Sequence, residues 1–184
     1  SELGEFGLIE RLTADLVPVH ASTIVGVGDD AAVLRPDAEH DLLVSTDLLV
    51  EGVHFDLAYV PLQHLGYKAA VVNFSDIVAM GGTPTQLTVG LAVSSRFPVE
   101  ALDEVYVGIR RACAQYGVDL VGGDTTSSPS GLTLAVTVLG QIAQGGAVRR
   151  SGAQATDLIV VSGDLGGAYM GLQVLEREKA TFLA

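Results

Sequence analysis

Basic residues are scarce in this chain of 184 residues: ten Lys and Arg stand against 22 Asp and Glu, a formal net charge of -12. That balance argues against a surface that neutralises nucleic-acid phosphates or clings to anionic lipid, since both need clustered Lys and Arg. Cysteine is almost missing too. Cys113 alone rules out an intrachain disulfide and a multi-cysteine metal site, and points to a reducing, cytoplasmic setting. No apolar run reaches the length of a membrane span. Ser1 to Glu10 has neither the basic stretch nor the apolar core of a secretory signal. The P-loop pattern Gly-x4-Gly-Lys-Ser/Thr is absent, as are the His-Arg-Asp and Asp-Phe-Gly signatures of protein kinases.

What is present is acidic and apolar at once. Acidity of this size suits cation binding. Apolar residues make up 48% of the chain and the mean hydropathy is +0.42, high for an acidic domain, so some apolar surface is expected to meet another subunit or a further domain.

Hydrophobic periodicity predicts a helix over Glu5 to Leu16, with Phe6, Ile9, Leu12 and Leu16 at helical spacing, ending in a turn-rich stretch around Pro18. Extended segments follow at Thr23 to Val27, Ala31 to Leu34 and Asp41 to Thr46. A second helix runs from Leu62 to Met80 and stops at Gly81-Gly82; Gln86 to Ser94 reads as a strand. Pro98 opens a third helix, whose stripe of Leu102, Val105, Ile109, Cys113 and Tyr116 ends at Gly117. Asp119 to Val121, Leu132 to Ile142 and Asp157 to Ser162 complete the strands. Strands and long helices thus alternate irregularly, as in an α+β fold: a mixed or antiparallel sheet with helices on one face. A boundary is expected near Gly145 to Ala155, dividing residues 1–146 from the start of a second, α/β domain at 147–184. So short a terminal piece cannot build its own core, and the chain is expected to be truncated.

Four aspartates stand where an apolar element runs out, or inside an apolar face: Asp30 in Val27-Gly-Asp-Asp-Ala-Ala, Asp47 after Val44-Ser-Thr, Asp76 in Val72-Asn-Phe-Ser-Asp-Ile, and Asp124 after Val121-Gly-Gly. Taken singly, Asp29-Asp30 and Asp124 read equally as turn residues and Asp47 as a cap. Asp76 shares a helix face with Asn73 amid apolar neighbours. A carboxylate buried there would cost several kcal/mol without a cation or hydrogen bonds, although an ion pair is the plainer alternative to a metal. Four gathered carboxylates would repel one another, and magnesium, which takes hard oxygen ligands and bridges to phosphate, is the natural remedy. Ser45 and Thr46 could add hydroxyl or water-mediated ligands. Gly26-Val-Gly28-Asp-Asp-Ala31 fits the loose dinucleotide fingerprint, but two aspartates at its phosphate end oppose a bare pyrophosphate. Gly163-Asp-Leu-Gly166-Gly167 could turn its amides toward phosphate or simply turn the chain.

Read in order, Glu5-Phe-Gly-Leu-Ile, Gly26-Val-Gly-Asp-Asp-Ala-Ala-Val, Ser45-Thr-Asp-Leu-Leu-Val-Glu-Gly-Val-His-Phe55, Lys68-Ala-Ala-Val-Val-Asn-Phe-Ser-Asp-Ile-Val-Ala-Met-Gly-Gly-Thr-Pro84, Val121-Gly-Gly-Asp-Thr-Thr126 and Arg149-Arg-Ser-Gly-Ala153 resemble the motifs of the thiamine-monophosphate kinase family. Six motifs in sequence are far more specific than any one. The resemblance implies a four-stranded sheet like the amino-terminal domain of aminoimidazole ribonucleotide synthetase, and direct transfer of the γ-phosphate of ATP to thiamine monophosphate. It implies magnesium ions held by Asp30, Asp47, Asp76 and Asp124, with Ser45 and Thr46 assisting. It places His54 on the thiamine phosphate, and Tyr106, Gly123, Asp124 and Arg149 on ATP. It also implies a homodimer formed through the amino-terminal sheet, and no general base. Taken alone, His54 reads as a surface histidine at a strand end and Arg149 as a solvated arginine.

Selenophosphate synthetase, the hydrogenase-maturation dehydratase and aminoimidazole ribonucleotide synthetase belong to the same superfamily and are the nearest rivals. The first needs a reactive cysteine or selenocysteine with a lysine near the amino end, a pair absent here, and Cys113 reads as core. The Glu-Gly-Val-His-Phe and Ala-Met-Gly-Gly-Thr-Pro stretches favour the kinase. A non-catalytic magnesium-nucleotide binding and dimerisation module is the reading from a different class.

Overall fold

In the computed structural model the backbone is described for residues 4–27 and 32–183, and side chains for 7–27 and 32–179. The expected Ala31 and the Gly28-Asp29-Asp30 turn lie outside the described residues.

Helix α1 spans Gly4–Thr13. It ends three residues before the expected Leu16, where the Thr13 hydroxyl donates back to the Ile9 carbonyl (2.8 Å) and the chain turns. Strands β1 (Thr23–Val25) and β2 (Val33–Leu34) form a small antiparallel ladder, shorter than expected. The main sheet comprises β3 (His40–Val50), β4 (Thr83–Val93), β5 (Asp119–Ser127) and β6 (Leu132–Ala143), in the order β3-β6-β4-β5. β6 is antiparallel to both neighbours, whereas β4 and β5 are parallel. That parallel pair needs a crossover, and α3 (Val99–Tyr116) supplies it.

Helices α2 (Leu62–Ala79) and α3 pack on each other and on one face of the sheet. Strand alternation provides that face: Leu87, Val89 and Leu91 of β4 and Leu132, Leu134, Val136 and Val138 of β6 point to the helices and are buried. Cys113 lies on the inward stripe of α3, where burial pushes its thiol up to about 12. Among the described residues the opposite face carries no helix. There Leu42, Val44 and Leu48 of β3 are 55, 61 and 59% exposed. The expected α+β architecture, with a mixed four-stranded sheet and helices on one face, is therefore present.

Three local expectations change. β3 runs on to Val50 and β5 to Ser127, so Asp47 and Asp124 sit within strands, not beyond them, and Gly122-Gly123 is strand, not turn. The reason is pairing: β3 is laddered to β6 from His40↔Ala143 to Val50↔Thr133, and β5 to β4 as far as Val93↔Ser127. Asp157 to Ser162 is not a strand; Leu158, Ile159 and Val160 are almost fully exposed, and no described strand lies beside them to accept a ladder. Beyond a glycine turn the chain forms helix α4 (Gly167–Leu183). Among the described residues no helix is long and apolar enough to cross a membrane.

Candidate functional site

The edge strand β3 presents alternate side chains to opposite faces. Ser45 and Asp47 share the helix-covered side with the buried Leu43 and Leu49. Where α2 passes this edge, the Ser45 hydroxyl donates to Asp76 Oδ2 at 2.6 Å. Asp76 is exposed, not buried in the apolar face: the inward stripe of α2 is Leu65, Ala69, Ala70, Asn73, Phe74 and Ile77, and Asp76 falls on its flank. The buried polar residue is Asn73, whose Nδ2 donates to the Ala69 carbonyl (3.0 Å) while its Oδ1 has no partner among the described residues. Thr46 faces the open side of the sheet, where its hydroxyl bonds the Val136 carbonyl and the Thr137 hydroxyl, both at 3.0 Å. Side chains thus bring Ser45 and Asp76 together, with Asp47 on the same side, and set Thr46 apart.

Asp124 belongs to the other edge. The register carries one row across the sheet from Asp47 through Val136 and Val89 to Gly123. Three interstrand spacings separate the ends of that row, roughly 14 Å at about 4.8 Å each. One magnesium ion, with ligands at about 2.1 Å, cannot touch carboxylates at both edges of the same chain. Among the described residues, which leave out Asp30, no group of three or more metal-competent His, Cys, Asp or Glu is found. Strands β3 and β5 are opposite edges because β6 and β4 insert between them, a topology invisible in motif spacing. At Gly123 a Cβ would lie 2.1 Å from the Val89 carbonyl oxygen, so only glycine lets β5 approach β4 there. Asp124, exposed, accepts from the Thr125 N–H at 2.8 Å.

Of the remaining expected residues, Asp30 lies outside the described residues. Tyr106 is in the core on α3, only 7% exposed, where burial pushes its phenol up to about 12 against the opposing effect of Arg110. Arg149 is exposed in the segment after β6. The donors at the β3–α2 edge are hydroxyl and carboxylate oxygens, partly open to water, which is the donor chemistry that magnesium takes.

His54 lines a separate cavity of about 740 Å³ between the turn after β3 and α4. The Val50 N–H donates to its Nδ1 at 3.0 Å, and Lys68 of α2 donates to its carbonyl at 3.1 Å. Across the opening, Lys179 of α4 pairs with Asp56 and lies 5.7 Å from the centre of the Tyr59 ring. The Lys179 hydrogen bond, helped by the Ala58 N–H, holds the Asp56 carboxyl below the usual carboxylate range.

Residues 28–142 match the family described as AIR synthase related protein, N-terminal domain. The chain belongs to that family. Thiamine-monophosphate kinase from Bacillus subtilis (strain 168) is 40% identical over 176 residues, covering 96% of this chain and 54% of that protein. The crystal structure of thiamine-monophosphate kinase from Stenotrophomonas maltophilia K279a superposes with a TM-score of 0.81 at 37% identity, over 96% of this chain and 54% of that one. AaThiL complexed with AMPPCP and TMP superposes with a TM-score of 0.72 at 36% identity, again over 96% and 54%. The chain therefore spans about half the length of these relatives.

The AIR synthase related match covers every expected aspartate and His54, and stops before Arg149 and α4. Sequence reasoning missed the cavity wall: Lys68, Tyr59 and Lys179 carried no assignment, although Lys68 opens one of the six motifs. The available signal was its rarity, a cation heading an apolar helical run in an acidic chain.

Proposed function

We propose that this chain is the ATP- and magnesium-binding part of an enzyme that transfers the γ-phosphate of ATP to thiamine monophosphate, giving thiamine diphosphate. The observation that carries this reading is the shared fold, at 36% identity, with AaThiL complexed with AMPPCP and TMP. Because the chain spans about half of its relatives, turnover is proposed for the whole enzyme and substrate binding for this chain. Asp47, Asp76 and Ser45 hold magnesium at one sheet edge, with Thr46 contributing through its backbone or a water; Asp124 serves the other edge and Asp30 completes the set. Bound magnesium neutralises phosphate charge and so lowers the repulsion between two polyanions. Tyr106, Gly123, Asp124 and Arg149 contact ATP, and His54 meets the thiamine phosphate. No side chain is assigned as acid or base, since phosphoryl transfer to a phosphate oxygen depends on positioning and charge.

Calorimetric titration with AMPPCP tests the metal edge. Binding is expected only with magnesium, and Asp47→Asn is expected to weaken it at least about tenfold, as loss of a charged ligand should. Magnesium-independent binding, or an unchanged affinity in the variant, would remove Asp47 from the site.

The chain is further proposed to act as a homodimer through the open face of its sheet, to divide near residue 146 where a second domain begins, and to work in the reducing cytoplasm. The exposed Leu42, Val44 and Leu48 support the dimer, as an apolar sheet face without a helix over it. Light scattering at micromolar concentration is expected to give twice the chain mass. Val44→Lys, which would bury a charge, is expected to shift that mass toward the monomer. A monomeric parent chain would end the idea.

A further inference from the structure

The His54 cavity holds two lysines in different electrostatic states. Lys179 is neutralised by Asp56. Lys68 is exposed, has no carboxylate partner among the described residues, and spends one donor on the His54 carbonyl. An ammonium group has three donors, so Lys68 brings a free charge and unused N–H groups to the cavity wall. His54 stands beside it in a fixed tautomer. Its Nδ1 accepts from the Val50 N–H, so Nε2 carries the ring N–H and is free to donate. The rest of the wall is largely apolar and aromatic, with Val53, Tyr59, Val60, Tyr169 and Leu172. A concave site with an apolar wall and few polar groups is the usual form of a small-molecule pocket.

We propose that Lys68 is the charge-bearing phosphate ligand of this cavity, with His54 an Nε2–H donor beside it, and that the cavity takes an aromatic phosphate monoester. The phosphate lies against Lys68 and His54, and the ring against Tyr59 and Tyr169. Glu176, on the same wall, suits a ring that carries positive charge. Calling the ligand thiamine monophosphate rests on the function proposed above; the anion subsite rests on the geometry.

The test is calorimetric titration of the chain with thiamine monophosphate, with thiamine, and with phenyl phosphate. Lys68→Met is expected to weaken both phosphate esters at least about tenfold, as loss of a charge-assisted bond should, and to leave thiamine unchanged. Lys68→Arg is expected to restore most of the affinity, since the charge is kept. Raising salt should weaken phosphate binding in the parent and have little further effect in Lys68→Met. If thiamine monophosphate binds equally well to Lys68→Met, the Lys68 assignment is overturned while the kinase reading stands. If phenyl phosphate binds through Lys68 but thiamine monophosphate does not bind, the subsite stands and the kinase reading falls. Binding of neither ester to the parent overturns both. Equal loss of thiamine and its phosphate in both variants makes Lys68 a structural residue and also overturns the assignment.

Discussion

Gly66→Val is expected to lower the melting temperature by roughly 6–12 °C, from an overpacking cost of about 3 kcal/mol and a response of about 2–4 °C per kcal/mol for a chain of this size. Helices α2 and α3 meet backbone to backbone through a reciprocal pair of glycines. A Cβ on Gly66 would lie 1.9 Å from the Val105 carbonyl oxygen, and one on Gly108 would lie 2.0 Å from the Gln63 carbonyl oxygen. Neither obstacle is a side chain that can rotate away, so any larger residue must push the helices apart. Separation would loosen Leu65, Val105 and Ile109, all fully buried. It would also move Lys68 and Asp76, which ride on α2. The control is Gly171→Val on α4, where a Cβ meets nothing within 4 Å. Valine there is expected to be neutral or slightly stabilising, because glycine is a poor helix former. Equal melting temperatures for the two variants would show that the α2–α3 contact is not as close as described.

Asp119→Ala is expected to cost about 3 kcal/mol, read as a lower urea midpoint at unchanged slope. Asp119 heads β5 and is 4% exposed, yet it forms no ion pair among the described residues. It accepts instead from the Val19 N–H (2.6 Å), the His20 N–H (3.0 Å) and the Thr23 hydroxyl (2.7 Å). Gln86 joins the same network, its Nε2 donating to the Ser22 and Thr23 hydroxyls. This clamp ties the segment after α1 to the sheet, and that segment leads in sequence toward Asp29 and Asp30. Alanine strands three donors. Asp119→Asn keeps the shape but replaces one acceptor oxygen with a donor, and is expected to cost a substantial part of the same amount. If Asp119→Ala matches the parent in urea, water already satisfies those donors and the clamp adds no stability.

Both effects concern residues to which the sequence reading attached no function. Gly66 sits unremarked inside a predicted helix, and Asp119 reads as the first residue of a short strand. Neither carries a local signal, because the partner of each lies far along the chain: about forty residues for Gly66 and Val105, and about a hundred for Asp119 and Val19.

The helices were legible in advance. Their periodicity is local, and the inward stripe of α3 falls on Leu102, Val105, Ile109 and Cys113, with Gly117 as its cap at a φ of 67°, whereas Tyr116, expected on that stripe, is half exposed in the last turn. Strand existence was also legible from apolar alternation in β4 and β6. Strand length was not, since β3 and β5 extend through Asp47 and Asp124 only because neighbouring strands ladder them. The oxygen-rich motifs named the residues, and one pair, Ser45 and Asp76, proved adjacent. Motif order alone could not say that Asp47 and Asp124 occupy opposite sheet edges, that Thr46 turns to the other face, or that Lys68 stands beside His54. The chain by itself determined which side chains are available and which local elements carry them, because propensity and periodicity act over a few residues. Only the tertiary structure decided which of them meet, because strand order, sheet face and helix crossing are set by contacts between residues tens of positions apart.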